Sequence, residues 1–163
     1  MSLNYPIYDV RTGRRLSIGP STGAWGDTYG PMIWTGAEFH FLLSYIKNKM
    51  GFHVYANSHF GGINRTAHSP KSWHYVKDAQ GRSLGADIGT YGDKNERSRI
   101  INELIPLLDR LGVAWHYAMN GNVPGHWDHI HIDVSNWGRK GGTAGTGYGY
   151  YATRKKQDIY KAL

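Results

Sequence analysis

The stretch from His126 to Val134 reads His-Trp-Asp-His-Ile-His-Ile-Asp-Val, and its second half alternates apolar and polar residues without a break. Successive strand side chains point to opposite faces, so Ile130, Ile132 and Val134 share one face while His129, His131 and Asp133 share the other. The apolar set has to enter a core. Two imidazoles and a carboxylate then stand in a row on the opposite face, where an ordinary surface strand rarely collects them. A fold that accepts this strand needs a sheet packed on one side and lined with titratable groups on the other.

At 163 residues the chain is long enough for one domain with a packed core. It has no cysteine, so any metal site must be built from His, Asp and Glu. No apolar run approaches the roughly 20 residues that span a bilayer, and Met1 to Arg15 lacks the apolar stretch of a signal peptide. We therefore expect no membrane insertion, and release by other means if the protein acts outside the cytoplasm. The net charge is +7, but Arg139, Lys140, Arg154, Lys155, Lys156 and Lys161 against Asp158 place +5 of it from Trp137 onward, leaving +2 for the first 136 residues. This divides the chain into a domain over 1–136 and a Gly-rich basic tail or linker over 137–163, with six glycines between Gly138 and Gly149. Basicity confined to such a tail argues for a solvated segment over a specific nucleic-acid site, and a monomer is expected. Six Trp, twelve Tyr and 22 Gly suit a loop-rich surface that binds sugar or peptide.

Residues 1–34 read as loops with one hairpin turning at Thr12-Gly13. A helix follows, with Thr35 as N-cap, Glu38 completing a capping box, an apolar stripe of Phe39, Leu42, Leu43, Ile46 and Met50, and Gly51 as its stop. Residues 52–57 read as a strand and Ser58 to Lys71 as a polar connection. A second helix starts near Asp93, carries Ile100, Ile101, Leu104, Ile105, Leu108 and Leu111, is kinked or split by Pro106, and ends at Gly112. Strands at 113–119 and 127–135 complete an α+β domain with an antiparallel sheet and two main helices.

Upstream of the histidine strand lie Ser72-Trp73-His74 and Gly85-Ala86-Asp87-Ile88-Gly89. His74 and Asp87 supply an imidazole and a carboxylate. Adding His131 makes a His, Asp, His set, the three N and O ligands that zinc takes in catalytic sites while a fourth position stays open. Asp78, four residues after His74, is a rival carboxylate. His116 alternates with Trp115 and Tyr117 and could line a cleft, and Asp133 could orient a ligand histidine.

In these residues the chain resembles the zinc peptidases that include D-alanyl-D-alanine carboxypeptidases and dipeptidases, the phage L-alanyl-D-glutamate endolysins and, in fold, the Hedgehog signalling domain. Ser72-Trp73-His74, Leu84-Gly85-Ala86-Asp87-Ile88 and Asp128-His129-Ile130-His131 match the three parts of their motif in order, and the resemblance spans about residues 52 to 135. Twelve residues separate His74 from Asp87, more than the family pattern has, with Lys77 to Arg82 reading as an inserted hairpin tip. The resemblance implies Zn2+ held by His74, Asp87 and His131, and metal-assisted hydrolysis of a peptide bond in bacterial peptidoglycan, in a stem or cross-bridge peptide. It implies Asp128 as the general base and Ser72 as support for substrate or metal ligand. Arg65 is the nearest candidate to grip a substrate carboxylate. Strict alternation turns Asp128 away from His131 unless it precedes the regular strand or sits at a bulge, whereas His129 shares the face of His131, so both stand as proton carriers. By the same resemblance the protein acts on the cell wall, released from a host cytoplasm or carried by a phage particle. A zinc-stabilised, non-catalytic binding domain of Hedgehog-like fold is the alternative, and the basic tail alone supports a third, nucleic-acid reading.

Overall fold

The computed structural model describes residues 3–18, 29, 31–68, 70–89, 94–117, 129–135 and 155–163. The readings of Asp93 as a cap, of Asp128 as a base and of the glycine-rich stretch 138–149 lie outside the described residues. The fold is α+β with antiparallel sheets and two main helices, as the alternating patterns require.

Strands β1 (Ile7–Asp9) and β2 (Arg15–Leu16) form the expected hairpin, with Gly13 at φ 72° in the turn. Helix α1 (Gly36–Asn48) starts at the expected box: Thr35 Oγ1 accepts from Glu38 N at 3.0 Å, and Glu38 Oε1 accepts from Thr35 N at 2.9 Å. Gly51, at φ 77°, follows the helix end. Strand β3 (His53–Tyr55) comes next, then a 3-10 turn (Trp73–Tyr75) leading into β4 (Val76–Asp78), which pairs with β1. The tip between β4 and β5 (Gly85–Gly89) is a tight hairpin, where Asp78 N donates to Arg82 O and Lys77 bridges to Ser83.

The second helical segment runs as α2 (Lys94–Arg99), a π turn (Ile100–Leu104) and α3 (Ile105–Leu111). Pro106 explains the change of register, because it lacks an N–H and the wide turn leaves it at the start of α3, where no intrahelical donor is needed. Gly112, at φ 80°, closes the segment in the left-handed region. Strands β6 (Trp115–His116) and β7 (His129–Asp133) complete a four-stranded sheet in the order β3-β5-β7-β6, beside a three-stranded sheet in the order β2-β1-β4.

The register of the larger sheet sorts its faces. Val54, Ile88 and Ile130 stand opposite one another, as do Ala86, Ile132 and Trp115, and all six are buried in one cluster with Phe39, Leu42, Leu43 and Ile46 of α1 and Ile105, Leu108 and Leu111 of α3. Full burial of each large side chain contributes about 1.5–3 kcal/mol, which fixes the other face outward by the strand period.

The end of the chain does not trail away as a solvated tail. Gln157 N donates to Leu111 O, Lys156 Nζ meets Glu38 Oε1 at 2.9 Å above the Trp34 ring, and Ile159 of α4 (Ile159–Ala162) is fully buried in the core. Residues 155–163 therefore belong to the packed body, although sequence composition assigns them to the tail over 137–163. Among the described residues no helix is long and apolar enough to cross a membrane.

Candidate metal centre

The polar face of the larger sheet gathers the titratable residues by register. Asp87 stands between Tyr55 and His131, with His116 next in the same row, while Gly89 stands between His53 and His129, and Gly85 faces Asp133. His74 arrives from outside the sheet on the 3-10 turn. Ser72 caps that turn, its Oγ accepting from His74 N at 3.2 Å. A Cβ on Gly85 would lie 2.8 Å from the Trp73 carbonyl carbon and 3.0 Å from His74 N. Only glycine lets the turn carrying His74 close down on the strand carrying Asp87. Asn57 holds the same junction, its amide donating to Ser83 O and Gly85 O at 3.0 and 3.1 Å.

Three atoms meet in front of β5. His74 Nε2 is 3.1 Å from Asp87 Oδ1, His131 Nδ1 is 3.1 Å from His74 Nε2, and His131 Nδ1 is 3.4 Å from Asp87 Oδ1. Ligand atoms held 2.0–2.1 Å from one tetrahedral zinc ion lie about 3.3 Å apart, so the triangle has the dimensions of three ligands around one cation. The tautomers agree. His74 Nδ1 faces Ala56 O at 2.8 Å, and because a carbonyl only accepts, the proton sits on Nδ1 and Nε2 presents its lone pair. Ala56 adopts φ 56°, a left-handed conformation rare for alanine, in the residue whose carbonyl fixes this ring. His131 Nε2 lies 2.7 Å from Asp133 Oδ2, which leaves Nδ1 as the lone-pair atom when that ring is neutral. Asp133 is fully buried, and its Oδ1 accepts from Ser135 N at 2.9 Å and Ser135 Oγ at 2.5 Å. Asp87 Oδ1 is buried and receives no well-directed hydrogen bond from the described residues. Three lone pairs turned on one point repel one another unless a cation or a proton lies between them.

The titration behaviour follows. Burial works to raise the Asp87 carboxyl, but the adjoining His74 and His131 rings outweigh it and hold the group well below the usual carboxylate range. Burial works to lower His131, but its hydrogen bond to Asp133 and the Asp87 carboxylate beside it overcome this and push it up to about 9. His68 is pushed down to about 4 by burial and by the neighbouring His74.

Of the residues singled out from sequence, His74, Asp87 and His131 converge, and His129 lies beside them with Nε2 3.8 Å from Asp87 Oδ2. His74 and Asp87 side chains are 4% exposed, against 13% for His129 and 16% for His131, so solvent reaches the centre from the β7 side. Ser72 acts as the turn cap described above. Arg65 donates to Arg11 O at 3.2 Å and Val10 O at 3.5 Å, which engages it with the β1–β2 turn. Asp78 is excluded as a rival ligand: it accepts from Arg82 Nε, Arg82 N and Gln80 N within its own hairpin tip. His68, which the sequence patterns did not single out, belongs to the cluster. His68, His74 and Asp87 each offer one ligand atom within 4.8 Å of the others, a group that could hold a metal ion. Compared with models of protein families, with curated proteins and with solved structures, the chain matches none.

Proposed function

We propose that this chain is a zinc-dependent peptidase that hydrolyses peptide bonds of bacterial peptidoglycan, of the endolysin or cell-wall carboxypeptidase and endopeptidase kind. The observation that carries the reading is the triangle of His74 Nε2, Asp87 Oδ1 and His131 Nδ1, with both imidazole tautomers set by partners behind them. Zinc bound there would supply a Lewis acid and a water that ionises near pH ~7. The remaining work falls to the chain itself. His129, with Nε2 3.8 Å from Asp87 Oδ2 on the solvent side, suits the transfer of a proton from the attacking water to the leaving amine. Asp128 holds that role in the family resemblance. Peptidoglycan as substrate rests on the same resemblance, through Ser72 to His74, Gly85 to Asp87 and Asp128 to His131.

The test is incubation of purified peptidoglycan with zinc-loaded protein and mass spectrometry of the released fragments. Release is expected from the wild type and its abolition by chelation or by His131→Ala; persistence under either treatment rejects the reading. Asp128→Asn and His129→Ala, assayed with metal content, separate the two proton carriers, since loss of turnover with zinc retained marks the base. A second reading draws on His68, whose proximity offers a fourth protein ligand and hence a closed, structural site in a non-catalytic binding domain. That reading gains if zinc raises thermal stability while no fragment is released.

A further inference from the structure

His68 stands on the connection between β3 and the 3-10 turn, yet its ring lies against the centre. Its imidazole stacks on that of His74, centroids 3.9 Å apart and planes 24° from parallel, whereas the rings of His74 and His131 cross at 72°. Crossed rings can turn their in-plane lone pairs on one point. Stacked rings aim theirs side by side, so His68 as held does not complete the triangle. The backbone beneath it is fixed: His68 N donates to Tyr75 Oη at 3.0 Å, Tyr75 Oη donates to Asn64 O at 3.0 Å, and fully buried Tyr75 lies under the Arg11 guanidinium at 4.1 Å. The His68 ring nitrogens take part in no hydrogen bond among the described residues, and the side chain is only half-buried. One of them lies within 4.8 Å of ligand atoms on both His74 and Asp87. An imidazole edge is thus held beside the reacting position with no hydrogen-bond partner among the described residues.

We propose that His68 donates its ring N–H to the oxygen of the scissile carbonyl as that oxygen becomes anionic, making it a catalytic residue of the hydrolysis. This rests on the peptidase reading and adds the group that receives the developing charge. A neutral imidazole always carries one N–H, and a donor fixed in advance where charge develops accelerates the reaction without tightening ground-state binding. The stacked geometry suits this role, because it presents the ring's edge beside the triangle and does not turn its lone pair into it.

The full-length zinc-loaded protein and its His68→Ala and His68→Gln variants test the assignment, with inorganic phosphate as a tetrahedral anionic probe. Zinc affinity by chelator competition is expected to be the same in all three. Phosphate binding by calorimetry should weaken about 10-fold or more in His68→Ala, the loss of one hydrogen bond to a charged group, and recover in part in His68→Gln, whose amide can donate. On peptidoglycan peptides, kcat should fall about 100-fold in His68→Ala with KM little changed. The assignment is overturned if zinc-loaded His68→Ala binds phosphate as the wild type does, or if that variant loses zinc, which would make His68 a ligand. Failure of the wild type itself to take up zinc or to release fragments is seen before any variant is compared, and overturns the peptidase reading instead.

Discussion

Asp133 takes hydrogen bonds from Ser135 N and Oγ on one oxygen and faces His131 Nε2 with the other. An asparagine in its place would spend its carbonyl on the two Ser135 donors and turn its NH2 toward His131. That would force Nε2 to accept and move the proton to Nδ1, the atom that completes the triangle. Asp133→Asn is therefore expected to keep the fold and weaken zinc binding by about 10- to 100-fold, measured by chelator competition; unchanged affinity would mean the tautomer is not set there. At this scale His74, Asp87 and His131 were legible because the alternation of β7 and the glycine-flanked aspartate are local signals. His68 was not, since nothing in its spacing to His74 announces it, and its place depends on the Tyr75 hydroxyl bracketing Asn64 and His68.

Gly85 shows the same dependence between elements. A methyl group there meets main-chain atoms of Trp73 and His74, which cannot swing aside as a flexible side chain would. Gly85→Ala should cost about 1–3 kcal/mol in chemical denaturation and loosen zinc binding together with it; a stable variant with wild-type affinity would show that the turn tolerates displacement. The β1–β2 hairpin offers a pH test. Asp9 accepts from Arg11 N, Nε and Nη2 and from Thr12 N, and these bonds, Arg11's above all, hold its carboxyl below the ordinary value of 3.8. A depressed carboxylate stabilises the fold at pH above that ordinary value and loses its effect as pH falls through the folded-state value. The gap between wild type and Asp9→Asn should thus be about 1–2 kcal/mol at neutral pH and vanish in strong acid; a gap independent of pH contradicts this. Helix α1 and the stops at Gly51 and Gly112 were readable because capping and turn chemistry are local. Strand β5 was not read as a strand: two glycines and an aspartate in five residues are poor strand formers, and only pairing on both sides makes Gly85–Gly89 the centre of the sheet.

At the scale of the molecule, the two sheets and both main helical segments of the described residues share one core, and Ile159 packs into it. Charge and glycine content gave no sign of that last contact, because a single buried isoleucine among lysines has no periodicity to betray it. The larger sheet buries its apolar rows against the helices and so leaves Asp87, His129 and His131 facing outward, where the turn bearing His74 meets them. A cation at this meeting point would tie strands β5 and β7 to a segment more than ten residues upstream, so binding should couple to stability of the whole fold. The direct test is anomalous diffraction from crystals of the zinc-loaded protein. We expect one peak about 2.0–2.2 Å from each of His74 Nε2, Asp87 Oδ1 and His131 Nδ1. No peak there, or a peak bound by other residues, would contradict the account.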